Sequence, residues 1–180
     1  AGVVATESTF RLGLLNGLGA AVIALLAPVL GAIADRSSSR VRMLMMVTLL
    51  GCAATAGLAL VAQGHWIAAA LLYMLASLGF WGGIVFNDSL LLHVAEPDEY
   101  DLVSGYGYAL GYLGGGLLFA VNVFMTLKPQ PFGLADAGEA VRASFVTVGV
   151  WWLLFALPCV LVVKERASVP AVGAVEAVRQ

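Results

Sequence analysis

Charged residues are absent from five long stretches of this chain, and polar residues gather between them. The runs extend from Leu12 to Ala34, from Met43 to about Val61, from Trp66 to Asn87, from Leu102 to Leu127 and from Ala143 to Val163. Each approaches the ~20 apolar residues a helix needs to cross a hydrocarbon core about 30 Å thick. The runs are continuously apolar, without the alternation of a membrane β-strand, and in lipid only helices or closed barrels satisfy the backbone. The pattern therefore predicts an all-α membrane protein with five transmembrane helices, over about 12–34, 43–62, 66–87, 102–127 and 143–163.

Composition agrees and narrows the function classes. Of 180 residues, 61% are hydrophobic and 11% charged, against about 45–50% and about 25% in ordinary soluble domains. The net charge of -2 leaves no basic field to hold nucleic acid. Cys52 and Cys159 both fall inside apolar runs, where a small polarizable side chain packs well, and are read as packing residues. His65 and His93 are assigned to separate loops, without a third ligand at metal spacing. No metal and no cofactor is implied.

Orientation follows from Lys and Arg, which are enriched in cytoplasmic loops. Placing the segment between the first two helices inside puts Arg36, Arg40, Arg42, Lys164, Arg166 and Arg179 in the cytoplasm and Arg11, Lys128 and Arg142 outside. The loop from Asp88 to Asp101 is then cytoplasmic although it is acidic and carries no Lys or Arg. The amino terminus lies outside, and the chain starts at Ala1 without an initiator Met or a signal peptide. An earlier helix running outward is expected upstream, and the small-residue tail after Arg166 reads as a linker. The chain is thus expected to be an interior piece of a longer multi-pass protein.

The turn after the first helix carries Gly31, Asp35, Arg36 and Arg40. A small residue four before the Asp permits close helix approach, and a carboxylate at the membrane edge can face a helix amino terminus. Such contacts form in one conformation and break in another, as a gate requires. A solvated hairpin is the alternative. The segment resembles the loop signature G-x-x-x-D-[RK]-x-G-[RK]-[RK] of the major facilitator superfamily; Ser38 and Ser39 depart from it. The resemblance implies that the five helices are the second to sixth of a twelve-helix transporter. Residues 1–166 would then be a partial N-terminal six-helix bundle, and 167–180 the start of the central cytoplasmic linker.

The fourth run opens with Ser104-Gly105-Tyr106-Gly107-Tyr108-Ala109-Leu110-Gly111-Tyr112-Leu113 and three further glycines. Gly107, Gly111 and Gly115, with Gly114, form a smooth stripe of the small-xxx-small kind, on which helix backbones can meet in lipid. Beside it Tyr108, Tyr112, Phe119, Asn122 and Thr126 fall within about 80° of one another. The third run repeats this, with Tyr73, Ser77, Trp81, Ile84 and Asp88 on one face. Asn16 lies in the first run, where Pro28 can act as a kink or hinge. Buried polar groups in a membrane are costly without partners or water, so a polar-aromatic face suits a cavity wall. The second and fifth runs lack such a face and are expected to stand outside, as the superfamily resemblance also implies. Substrate-path candidates are Asn16, Tyr73, Ser77, Trp81, Asn87, Tyr108, Tyr112 and Asn122. Packing alone is the alternative for each.

A narrower resemblance covers nearly the whole chain. The Gly/Tyr run, the Asn87 region, Arg142-Ala143-Ser144-Phe145 and Trp151-Trp152-Leu153-Leu154-Phe155-Ala156-Leu157-Pro158 resemble the vacuole-effluxer-like branch of the major facilitators. It implies secondary active transport by alternating access, with amino acids or similar small solutes as substrates, the lipid bilayer and the remaining helices as partners, and a bacterial inner membrane as location. No charge lies deep in any predicted span, so a proton-coupling carboxylate or a substrate-charge partner is expected from the absent first helix or the other half, or the transport is uncoupled. An intramembrane hydrolase would need a Ser and His, or two carboxylates, within the bilayer, and the sequence offers neither pair. A non-transporting membrane scaffold remains the rival, opposed by the two polar-aromatic stripes. Cysteines placed at Ser38 and Gly64 are expected to react with impermeant thiol reagents from opposite sides, Ser38 from the cytoplasm; the reverse pattern would overturn the orientation.

Overall fold

The computed structural model describes residues 5–36 and 40–163. Five helices follow one another: α1 (Ala5–Arg36), α2 (Arg40–Gly57), α3 (Trp66–Val94), α4 (Tyr100–Leu127) and α5 (Ala137–Val162), with single 3-10 turns at Leu58–Leu60 and Gln130–Phe132. All five are long and apolar enough to cross a membrane. The fold class read from the hydropathy pattern is thus what the structure contains.

Several ends differ from the hydropathy boundaries, each for a local reason. α1 already includes Ala5, the first described residue, and a Glu7–Arg11 ion pair one turn apart suits a helix that runs through charges. Arg11 also lies 4.5 Å over the Trp66 ring, tying the start of α1 to the start of α3. α1 continues unbroken through Pro28. α5 begins at Ala137 because Asp136 caps it: its carboxylate accepts from the Glu139 N–H at 2.8 Å, and Glu139 in turn accepts from the Ala135 N–H at 2.7 Å.

The largest difference is in α3, whose apolar run stops at Asn87. The helix does not stop there. A single carboxylate breaks no backbone hydrogen bond, and Leu90 beyond it is buried in the core, so the helix persists to Val94. Ala95 then turns extended, two residues before Pro97. Asp88 and His93, read from hydropathy as loop residues, are therefore helical.

α2 is the hub of the bundle. It packs most extensively on α3 and next on α5; α1 lies against α3, α4 against α5, and α3 and α4 touch only lightly. Glycine makes the central crossing possible. A Cβ at Gly79 of α3 would stand 2.6 Å from Gly51 Cα and 2.7 Å from the Val47 carbonyl oxygen, both backbone atoms of α2. On the other flank of Gly51 lies the Trp152 ring of α5, while a Cβ at Gly149 would come within 3.0 Å of the Cys52 carbonyl. Farther along, Leu44, Phe86 and Leu90 form a buried cluster bordered by Leu30, Met43 and Cys159, which joins α1, α2, α3 and α5.

This relocates the close packing. Gly107, Gly111 and Gly115 have nothing within 4 Å of an added Cβ, and Gly114 has only Trp151 Nε1 at 3.9 Å. Small-residue spacing marks a smooth face but not the helix that meets it; within this chain the contacts fall on Gly51, Gly79 and Gly149 instead. Within this chain α2 carries the core and α5 packs on it. Gly79→Ala is expected to cost about 1–3 kcal/mol by forcing the α2 and α3 backbones apart, read as a lower thermal unfolding midpoint of the detergent-solubilised full-length protein; unchanged stability would refute the crossing.

Candidate functional site

Where α3 and α4 part, a cleft of 590 Å³ opens between them and is closed at the back by Cys159 and Val163 of α5. It lies at the end of the bundle that carries residues 95–99, the same end as the turn between α1 and α2, because the helices alternate in direction. α3 contributes Asn87 and Asp88; α4 contributes Ser104, Gly107, Tyr108, Gly111 and Tyr112. At 1.5 Å per residue, Asp88 sits ~9 Å from the end of α3 and Tyr112 ~18 Å from the start of α4. The cleft therefore reaches several helical turns along α4 from that end of the bundle.

The four-residue spacing on α4 builds its wall. Tyr108 and Tyr112 stand one turn apart and are 63% and 79% exposed, and Gly107 and Gly111 beside them leave the volume empty. Side chains at either glycine would project into it, so these glycines shape the cavity within this chain. Three of the substrate-path candidates, Asn87, Tyr108 and Tyr112, thus meet in one place. Asp88 and Ser104 join them. The pattern had placed Asp88 on the right face of the third helix but at the head of a loop, and continuity of α3 to Val94 is what makes it a wall residue.

The other candidates are distributed differently. Tyr73 donates from its hydroxyl to Asn16 Oδ1, so these two form a polar tie between α1 and α3 near the opposite end of the bundle. Ser77 is half-buried one turn below Tyr73, and Trp81 packs edge-on against Phe80 with ring centroids 5.4 Å apart; neither borders the cleft. Asn122 turns toward α5, where its Oδ1 accepts from Thr147 Oγ1 at 3.0 Å. The fifth run shows no polar stripe that would single out Thr147; the Ser144 carbonyl lies 2.9 Å from the same hydroxyl, whose one proton is shared between the two acceptors.

Of the gating-loop residues, Gly31 is half-buried in α1, and Arg40, the first residue of α2, is 3% exposed. Such burial is not that of a solvated hairpin arginine. Asp35 and Arg36 belong to the last turn of α1; their side chains, and residues 37–39, lie outside the described residues, as does the segment 167–180 assigned to a linker.

Comparison with known proteins places this architecture. The family model described as "Vacuole effluxer Atg22 like" matches residues 2–100 and 92–178. The chain is 32% identical over 166 residues to an uncharacterized MFS-type transporter, YxiO, of Bacillus subtilis, covering 92% of this chain and 39% of that protein. It is 31% identical over 68 residues to autophagy-related protein 22 of Yarrowia lipolytica and 27% identical over 70 residues to autophagy-related protein 22-1 of Penicillium rubens, in each case 38% of this chain and 11% of the relative. The chain therefore spans well under half the length of these relatives. No solved structure matches it. With nearly its whole length matched and five membrane-crossing helices in place, the chain belongs to the vacuole effluxer Atg22-like family.

Proposed function

We propose that this chain is part of the N-terminal half of a secondary active transporter that exports amino acids or similar small solutes by alternating access. The observation that carries the reading is the cleft, where Asn87, Ser104, Tyr108 and Tyr112 line a space open at one end of a bundle otherwise packed with apolar side chains. A packing-only bundle has no use for polar groups there, since each costs free energy in lipid unless it meets a partner. Family membership and the Bacillus subtilis relative named an MFS-type transporter support the same class.

In this reading two halves rock about a midplane site, so that the cavity opens to each side in turn. Residues 1–166 supply most of one half, and the remaining helices come from the rest of the longer protein. Gly31, Asp35, Arg36 and Arg40 latch the end that faces the cytoplasm, and the Asn16–Tyr73 tie holds α1 on α3 at the other. Gly107 and Gly111 keep the cleft open, and the neighbouring Gly115 is left free for a moving or packing neighbour. The membrane is the plasma membrane of a bacterium.

Full-length protein in proteoliposomes is expected to move at least one member of a labelled amino-acid panel faster than empty vesicles, with a rate that responds to an imposed proton gradient; no flux of any member would overturn the reading. Gly111→Leu, which fills the cleft, should lower that flux at least about tenfold at normal abundance. Loss of abundance instead would assign the glycine to packing.

A further inference from the structure

Among the described residues, Asp88 is the one formally charged residue that lines the cleft between α3, α4 and α5. Its carboxylate belongs to a helix that crosses the membrane, and it is exposed to the cleft. Among the described residues it forms no ion pair. A carboxylate on an apolar wall is costly until a cation meets it. Across from it stand Tyr108 and Tyr112, whose ring faces carry the negative quadrupole that attracts cations. Asn87 and Ser104 add neutral hydrogen-bonding groups. Glu96, Asp98, Glu99 and Asp101 follow in the adjoining turn, with no Lys or Arg from Asp88 to Asp101, while Arg36, Arg40 and Arg42 flank the turn between α1 and α2 at the same end. Within the cleft the apolar walls strengthen the field of the Asp88 carboxylate, which favours a cation there over an anion.

We propose that this cleft binds a protonated amine, with Asp88 accepting hydrogen bonds from the ammonium group and the Tyr108 and Tyr112 rings flanking its first carbons. This rests on the transport reading above, for which it names the recognised group: the site selects solutes by a free amino group, not by a carboxylate. Gly107 and Gly111 leave the room the amine needs beside the rings.

The test reads charge selectivity directly and does not depend on transport. In the full-length protein in proteoliposomes, with Cys52 and Cys159 replaced by Ala, Ser104→Cys supplies a reporter thiol in the cleft, and Val103→Cys is a second reporter should the first fail to fold. Its modification rates are measured with cationic trimethylammonium-ethyl and anionic sulfonatoethyl methanethiosulfonate, each relative to a free thiol in solution. The cationic reagent is expected to be favoured by about tenfold. Asp88→Asn removes that preference and Asp88→Glu keeps it. Butylammonium slows the modification and butyrate does not. A preference unchanged by Asp88→Asn, or equal protection by butylammonium and butyrate, would overturn the proposal. So would a thiol that neither reagent reaches, since a helix of the longer protein would then fill the cleft. Absence of amino-acid flux with the charge preference intact would count against the transport reading alone.

Discussion

The backbone contact of α2 with α3 at Gly51 and Gly79 is the constraint on which the rest of this bundle depends. Helices in lipid gain nothing from hiding apolar surface, since the solvent is itself apolar, and must associate through close van der Waals contact and polar ties. Here Gly79 has no room for a Cβ against Gly51 and Val47, while the Trp152 ring covers the opposite flank of Gly51. One glycine is thereby clasped between two helices. With α2 pinned against both α3 and α5, α4 packs on α5 and barely reaches α3. The cleft is the space left between them.

Several polar side chains of the described helices find a partner within the bundle. Thr55, Ser89, Thr126 and Ser144 return their hydroxyls to carbonyls of their own helices, at 2.8–2.9 Å. Asn16 with Tyr73, and Asn122 with Thr147, pair across helices. Each solves locally the problem of carrying a polar group through hydrocarbon. Asn87, Asp88, Tyr108 and Tyr112 line the cleft instead.

Much of this was legible before any tertiary structure. The five spans follow from uncharged length, and the faces on α3 and α4 follow from helical spacing. Asn87, Tyr108 and Tyr112 could be grouped because residues four apart share a face. Asp88 was on the right face but beyond the wrong boundary, since hydropathy ends a run at a charge whereas a helix ends where its backbone hydrogen bonds do. The glycine stripe of α4 was legible as a pattern and not as a contact: periodicity says that a face is smooth but not what covers it. Gly51, Gly79 and Gly149, which do bear contacts, are scattered among apolar neighbours and form no stripe of their own.

The amino-acid sequence alone determines that the chain is membrane-embedded and helical, how many times it crosses, and which residues share a helix face. These depend on transfer free energy and on a fixed 100° step, both local properties of a helix in lipid. Tertiary structure alone decides that α2 is the hub, that Asn122 answers Thr147 rather than the cavity, and that Asp88 becomes a cleft wall. Those outcomes turn on which backbones can approach within contact distance, and that is settled between helices, where spacing along one chain carries no information.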